Sequence, residues 1–279
     1  MHIVNRFLKR SVVAGAAAMI ASLPARADWA INMPRGVSEL SHDIYDIHMT
    51  MFWVCFGIAV FTFGAMILAM VRFRKSKGAV ADQKLLHNAR LEAAWTLIPV
   101  VILIAMAIPS VEKLVKIEDT SGSGLTVKVT GHQWYWQYEY LGSGVTFYSR
   151  LARSSDEARQ KGSGIDPLSI EHYLLDVDKP LVIPTGTKVR MLLTANDVIH
   201  AWWVPDFGMK RDAIPGYINE MWISVDVDKP GTYRGQCAEL CGADHGFMPI
   251  VVVAMPKAEF DAWLVEQKSA SATALAATE

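Results

Sequence analysis

Two thiols, an imidazole and a thioether fall within twelve residues, in Cys237-Ala-Glu-Leu-Cys241-Gly-Ala-Asp-His245-Gly-Phe-Met248. Sulfur and imidazole together select copper over magnesium, calcium or manganese. A further imidazole has to come from an upstream strand, and Val198-Ile-His200-Ala-Trp-Trp offers one at the end of an apolar stretch. Thiolate and thioether suit Cu(I) and imidazole suits Cu(II), so such a set tolerates a one-electron change. One thiolate suffices for a single copper, whereas two in one loop can bridge two. The competing reading is a local disulfide between Cys237 and Cys241, which an oxidising compartment preserves.

The elements that must carry this loop follow from apolar patterning. The chain has 279 residues, 52% of them hydrophobic, which is enough for a sizeable core plus membrane spans. Its three cysteines are too few for a disulfide scaffold. Residues 1–27 read as a secretory signal, with Arg6, Lys9 and Arg10, then an Ala-rich apolar run, then Ala25-Arg-Ala27 as a small-residue cleavage site. Residues 28–46 would then be an outer N-terminal tail. Ile47 to Val71 and Ala93 to Val111 contain no Asp, Glu, Lys or Arg, and each is long enough to cross or nearly cross a hydrocarbon core of about 30 Å. A hairpin over residues 47–116 is expected, with a loop over 72–92. That loop carries Arg72, Arg74, Lys75, Lys77, Lys84 and Arg90. Basic short loops stay in the cytoplasm, which puts both ends of the hairpin outside.

Residues 117–268 form the exported domain. From residue 117 to the end there are 14 basic and 21 acidic residues, a formal charge of −7. Such a surface steers a basic protein partner and disfavours nucleic acid. Leu125 to Val129, Met191 to Ala195, Ile223 to Val227 and Pro249 to Val253 read as short strands punctuated by Gly and Pro, the pattern of a β-sandwich or barrel. A last helix is expected from Pro256, with Phe260, Trp263 and Leu264 on one face. Residues 142–164 read as a polar surface excursion, and 269–279 as a disordered Ala/Ser/Thr-rich tail.

Four stretches together resemble subunit II of the haem–copper cytochrome c oxidases, bacterial or mitochondrial type. They are Leu91-Glu-Ala-Ala-Trp-Thr-Leu-Ile-Pro99, Gly131-His-Gln-Trp-Tyr-Trp-Gln-Tyr-Glu-Tyr140, Asp197-Val-Ile-His200 and Gly235 to Pro249. The resemblance runs from the hairpin to Met255. It implies a membrane-anchored all-β fold, a two-helix transmembrane hairpin followed by a cupredoxin-like Greek-key β-barrel, in a bacterial inner membrane with the barrel in the periplasm. It also implies a dinuclear CuA centre, bridged by Cys237 and Cys241. His200 and His245 would each bind one copper, with Met248 and the Glu239 carbonyl as weaker ligands. The Glu239 side chain would reach a magnesium ion shared with subunit I. Trp134 would be the exposed inlet for electrons from cytochrome c, and Glu139, Asp178 and Asp197 would meet the donor's lysines.

For Trp136, Tyr138 and Tyr140 in the same run, barrel core is the preferred reading. Glu92 would stand at the mouth of a proton path into subunit I, although a helix N-terminus by itself favours a carboxylate. Haem would sit only in subunit I, since His48 is the one histidine within a span. Subunit III and membrane lipid complete the implied surroundings. The family usually has Pro-Gly-Arg where this chain has Pro215-Gly216-Tyr217. Three rival readings are a membrane-anchored carrier of a single copper, a quinol-oxidase version without copper, and a disulfide-stapled sandwich with only an interaction role.

Overall fold

The computed structural model describes residues 32–80 and 87–276, with side chains described as far as residue 270. The expected signal (residues 1–27) and part of the basic loop lie outside these residues. Two long helices come first, α1 (Glu39–Arg72) and α2 (Ala89–Glu118). At 1.5 Å per residue they run for about 50 and 45 Å, beyond the roughly 30 Å of a hydrocarbon core. Their apolar side chains are exposed all round, among them Phe52, Phe61, Leu68, Trp95, Leu103 and Ile108. Such helices are long and apolar enough to cross a membrane.

Helix α1 starts eight residues before the expected span. Apolar runs reveal only the lipid-facing part of a helix, whereas its start is set by a cap. Ser38 Oγ accepts from Ser41 N at 3.0 Å, and Ser41 Oγ accepts from Ser38 N at 3.0 Å, a reciprocal capping box. The added turns are polar and are held by charge. Asp43 meets both Lys113 and Lys116 of α2 at 2.6 Å.

Ten strands then form two five-stranded sheets. The first has the order β3 (Val145–Ser149), β2 (Tyr135–Tyr140), β1 (Leu125–His132), β5 (Val189–Ala195), β8 (Asn219–Ile223). The second has the order β4 (Leu181–Pro184), β10 (Pro249–Met255), β9 (Gly231–Cys237), β6 (His200–Trp203), β7 (Lys210–Ala213). The β1–β5 and β4–β10 pairs are parallel and the remaining pairs antiparallel. The fold is a cupredoxin-like β-sandwich.

Alternation along β2 sends Trp136, Tyr138 and Tyr140 inward, each 0% exposed, as the period of two predicts. The Tyr140 hydroxyl donates to the carbonyl of Val182 at 2.7 Å and accepts from Val182 N at 2.9 Å, tying the two sheets together. Trp202 Nε1 donates to the Tyr138 hydroxyl at 3.3 Å across the same core. The α1 cap docks on this domain. Leu40 is fully buried, and Ser38 Oγ donates to the carbonyl of Phe207 at 2.9 Å.

Two expectations for the domain's surface need correction. Residues 142–164 are not merely an excursion, because β3 and a short helix, α3 (Arg153–Ala158), lie within them. Val145 and Ser149 of β3 are buried, and so are Ser155 and Ala158 of α3, so both elements pack inward within the polar stretch. The closing helix α4 (Lys257–Ala276) also runs past Ser269 into the segment expected to be a disordered tail. No Gly or Pro follows Pro256, and alanine has the highest helix propensity of any residue, so nothing local ends the helix at Ser269.

Candidate metal centre

Strand pairing assembles the site. Trp202 of β6 stands opposite Cys237 of β9, and Ala238 N donates to the carbonyl of Ala201 at 2.9 Å. This register carries His200, first residue of β6, to the end of β9. On the other side of β9, Pro249 pairs with Gln236 and Cys237 N donates to the carbonyl of Met248 at 3.0 Å. The loop from Ala238 to Phe247 is therefore closed at its base by its own flanking strands. A 3-10 turn at His245–Phe247 completes it. Gly242 is required within it: its φ is +115°, and a Cβ there would press on Gln133 Nε2 and the Trp134 ring at 3.0 and 3.3 Å.

The donor atoms form a chain of four. His200 Nδ1 lies 3.9 Å from Cys237 Sγ, Cys237 Sγ lies 3.8 Å from Cys241 Sγ, and Cys241 Sγ lies 3.5 Å from His245 Nδ1. The donors of His200, Cys237 and Cys241 all fall within 4.8 Å of one another, the one such group of metal-ligating side chains among the described residues. The two sulfurs are far beyond the roughly 2.05 Å of a disulfide, and both thiols are free. Cys237, Cys241, His200 and Met248 are buried, while His245 is half-buried. The carbonyl of Glu239 lies 3.4 Å from Cys237 Sγ, and the Glu239 side chain is exposed. Thiolate, imidazole and a buried thioether around one spot fit a soft or borderline transition metal and do not fit a hard oxygen-seeking ion.

Protonation follows from packing. Burial works to raise Cys237, but hydrogen bonds with His200, with the backbone at Glu239 and Ala201, and with His245 outweigh it and bring its thiol to about 7. Burial, reinforced by the neighbouring Cys237 charge, pushes Cys241 up to about 12. Without metal Cys241 thus holds its proton more tightly than Cys237, and a metal must displace it because the ligand is the thiolate. Burial disfavours a charged His200. Cys237 on one side and Asp197 on the other prevail and raise it above the usual histidine value.

Asp197 takes a place in this network that the sequence did not suggest. Its Oδ1 lies 2.9 Å from His200 Nε2 and accepts from Val198 N at 2.7 Å, and its Oδ2 accepts from Gln133 N at 2.7 Å. Burial works to raise Asp197, and these bonds hold its carboxyl below the usual range. With Nε2 engaged by a carboxylate, Nδ1 is left for a metal. Asp197→Ala should weaken metal binding at the site roughly 10–100-fold, measured by competition with a chelator. Unchanged affinity would show that Asp197 does not orient His200. Its spacing of three from His200 was the signal available in the sequence.

Trp134 is half-buried rather than exposed, and its Nε1 donates to the carbonyl of Cys241 at 3.1 Å. Gln133 Nε2 donates to the same carbonyl at 2.9 Å. The remaining acids lie apart from the metal loop. Glu139 faces Lys128 of β1 at 3.8 Å, and Asp178 accepts from Arg150 N at 2.7 Å. Glu92 Oε1 accepts from the N-cap amide of Asn88 at 3.2 Å, in the first turn of α2. Tyr217 is 60% exposed in the β7–β8 turn.

Comparison with known proteins finds relatives over most of the chain. The family model described as cytochrome c oxidase subunit II, periplasmic domain, matches residues 125–255, and the model described as the transmembrane domain of that subunit matches residues 26–113. A probable cytochrome c oxidase subunit 2 of Rickettsia bellii is 35% identical over 244 residues, covering 88% of this chain and 86% of the relative. The corresponding protein of Rickettsia prowazekii is 39% identical over 236 residues, covering 85% and 72%. Among solved structures, the periplasmic domain of subunit II of the Bradyrhizobium japonicum cytochrome oxidase is 38% identical, covers 54% of this chain and 98% of that one, and superposes with a TM-score of 0.46.

Proposed function

Since the chain belongs to the cytochrome c oxidase subunit II family, we propose that it takes electrons from a basic cytochrome c and passes them to haem in subunit I. There oxygen is reduced to water and protons are pumped. The observation that carries this reading is the row His200–Cys237–Cys241–His245, with two sulfurs at its centre and one imidazole at each end. Cys237 and Cys241 would bridge two coppers, His200 and His245 would bind one copper each, and Met248 and the Glu239 carbonyl would be the weaker ligands. When bound, the copper pair supplies one-electron chemistry with the charge spread over both metals.

The protein's own groups do the rest. Asp197 holds His200 Nε2, so that Nδ1 keeps facing Cys237. Burial of His200, Cys237, Cys241 and Met248 keeps water from the centre. Trp134 hands electrons inward along its hydrogen bond to the Cys241 carbonyl. The exposed Glu239 side chain would hold a magnesium ion shared with subunit I. Glu92 stands where a proton path enters subunit I from the cytoplasm, and subunit III packs nearby. The hairpin lies in a bacterial inner membrane with the sandwich in the periplasm, which agrees with the basic loop between the helices.

The acidic outer face is the docking surface, through Glu139, Asp178 and Asp197. Both oxygens of Asp197 are engaged in the His200 network, which leaves Glu139 as the cleaner test. Glu139→Lys should slow reduction of the oxidase by cytochrome c at low salt, with the difference fading as ionic strength rises. Stopped-flow mixing measures this directly. An unchanged rate at low salt would remove Glu139 from the docking surface.

A further inference from the structure

We propose that Arg159 is a positioning residue for the metal loop, a guanidinium clamp that fixes the turn carrying His245. The inference rests on the copper reading above for its consequence, though not for its geometry. Arg159 Nη1 and Nη2 donate to Asp244 Oδ1 and Oδ2 at 3.2 and 3.3 Å, a two-pronged pairing with the residue just before His245. The same guanidinium lies 4.5 Å from the ring centroid of Phe247, two residues after His245. Its Nε donates to Asp156 Oδ1 of α3 at 2.7 Å. One side chain, 23% exposed, thus grips the 3-10 turn on both sides of His245 and ties it to α3.

The anchor is firm at its other end. Ser155 of α3 is fully buried and its Oγ accepts from Leu174 N at 3.1 Å, while Ala158 is buried beneath. On the opposite side of the loop, Gln133 and Trp134 hold the Cys241 carbonyl. The ligand loop is therefore pinned at Cys241 from β1–β2 and at His245 from α3. Removing Arg159 leaves Asp156 and Asp244 as two unneutralised carboxylates beside the turn, which favours its opening. Residues 153–159, read from sequence as part of a polar excursion, acquire a purpose in this arrangement.

The test uses the full-length chain in detergent and has two readouts. Without metal, Arg159→Gln should speed amide hydrogen exchange at His245 and Phe247, whose amides bond the carbonyls of Gly242 and Asp244 at 3.2 and 2.9 Å, and leave β1 and β2 at the wild-type rate. With copper bound, Arg159→Gln and Asp244→Asn should each hasten copper loss to a chelator roughly tenfold, as removal of an outer partner of a ligand does. The double variant should lose copper no faster than either single one, because both remove the same pairing. Asp156→Asn, at a half-exposed carboxylate, should change the rate less than about twofold. Wild-type exchange in Arg159→Gln overturns the clamp whether or not copper binds. Additive losses, or a loss in Asp156→Asn equal to that in Arg159→Gln, overturn it as well, pointing to a general anchor for α3. A wild-type chain that takes up no copper refutes the copper reading instead, and the exchange result then decides the clamp alone.

Discussion

Cys241→Ser should abolish copper binding altogether while leaving the sandwich folded. Cys241 Sγ is flanked by a ligand sulfur and a ligand imidazole, 3.8 Å from Cys237 and 3.5 Å from His245, and is the sulfur that joins the His245 end of the row to the Cys237 end. A serine hydroxyl is a hard donor that stays protonated where a thiol would ionise, so it cannot bridge soft metals. With the bridge opened, Cys237 keeps His200 for company but His245 loses its sulfur partner, and neither half offers a closed set. The expected result is that metal analysis of the purified full-length chain falls from two coppers to none. The fold should tolerate the change, since the hydroxyl is smaller than the thiol and replaces one polar atom in a buried site, at about 1–2 kcal/mol. Retention of two coppers would show that Cys241 is not a bridge. Retention of one would favour a single-copper centre on Cys237.

Gly235→Ala should unfold the site from beneath. Gly235 lies in β9 two residues before Cys237, and β9 pairs there with β6, which opens on His200. A Cβ at Gly235 would overlap the carbonyl oxygen of Trp203, with the carbonyl carbon of Trp203 and Cα of Val204 each at 2.9 Å. These are backbone atoms, so no rotamer change relieves the contact, and the two strands must part. The cost should reach about 3 kcal/mol, the upper part of the range for overpacking. Denaturant titration of the solubilised chain checks it, and copper content should fall in step because His200 and Cys237 separate. Stability within about 0.5 kcal/mol of wild type would mean that β6 and β9 do not need this close approach.

Much of this centre was legible before the fold was known, and for a physical reason. Four of the five candidate donor side chains, Cys237, Cys241, His245 and Met248, fall within twelve residues, and a metal loop between two adjacent strands keeps its ligands close in sequence. The partner of His200 was less legible. Asp197 stood out only as a surface acid, because sequence does not say which way a carboxylate turns, and its two oxygens turn inward to His200 and to the Gln133 amide. Trp134 likewise proved half-buried, tied by its N–H to the Cys241 carbonyl.

Helix starts were misplaced where polar turns precede an apolar run, since the Ser38–Ser41 capping box and the Asp43 pairs with Lys113 and Lys116 set the start of α1. The role of Arg159 was invisible altogether. It bridges residues 85 apart in the chain, and no local pattern records such a pairing. The aromatic run was the opposite case, where a period of two along β2 was enough to send Trp136, Tyr138 and Tyr140 into the core.

The central claim is that Cys237 and Cys241 join two coppers into one electron-accepting unit. Electron paramagnetic resonance of the oxidised full-length chain tests it most directly. The account predicts the hyperfine multiplet of a single unpaired electron shared equally by two copper nuclei. The simpler multiplet of an electron confined to one copper nucleus would contradict it.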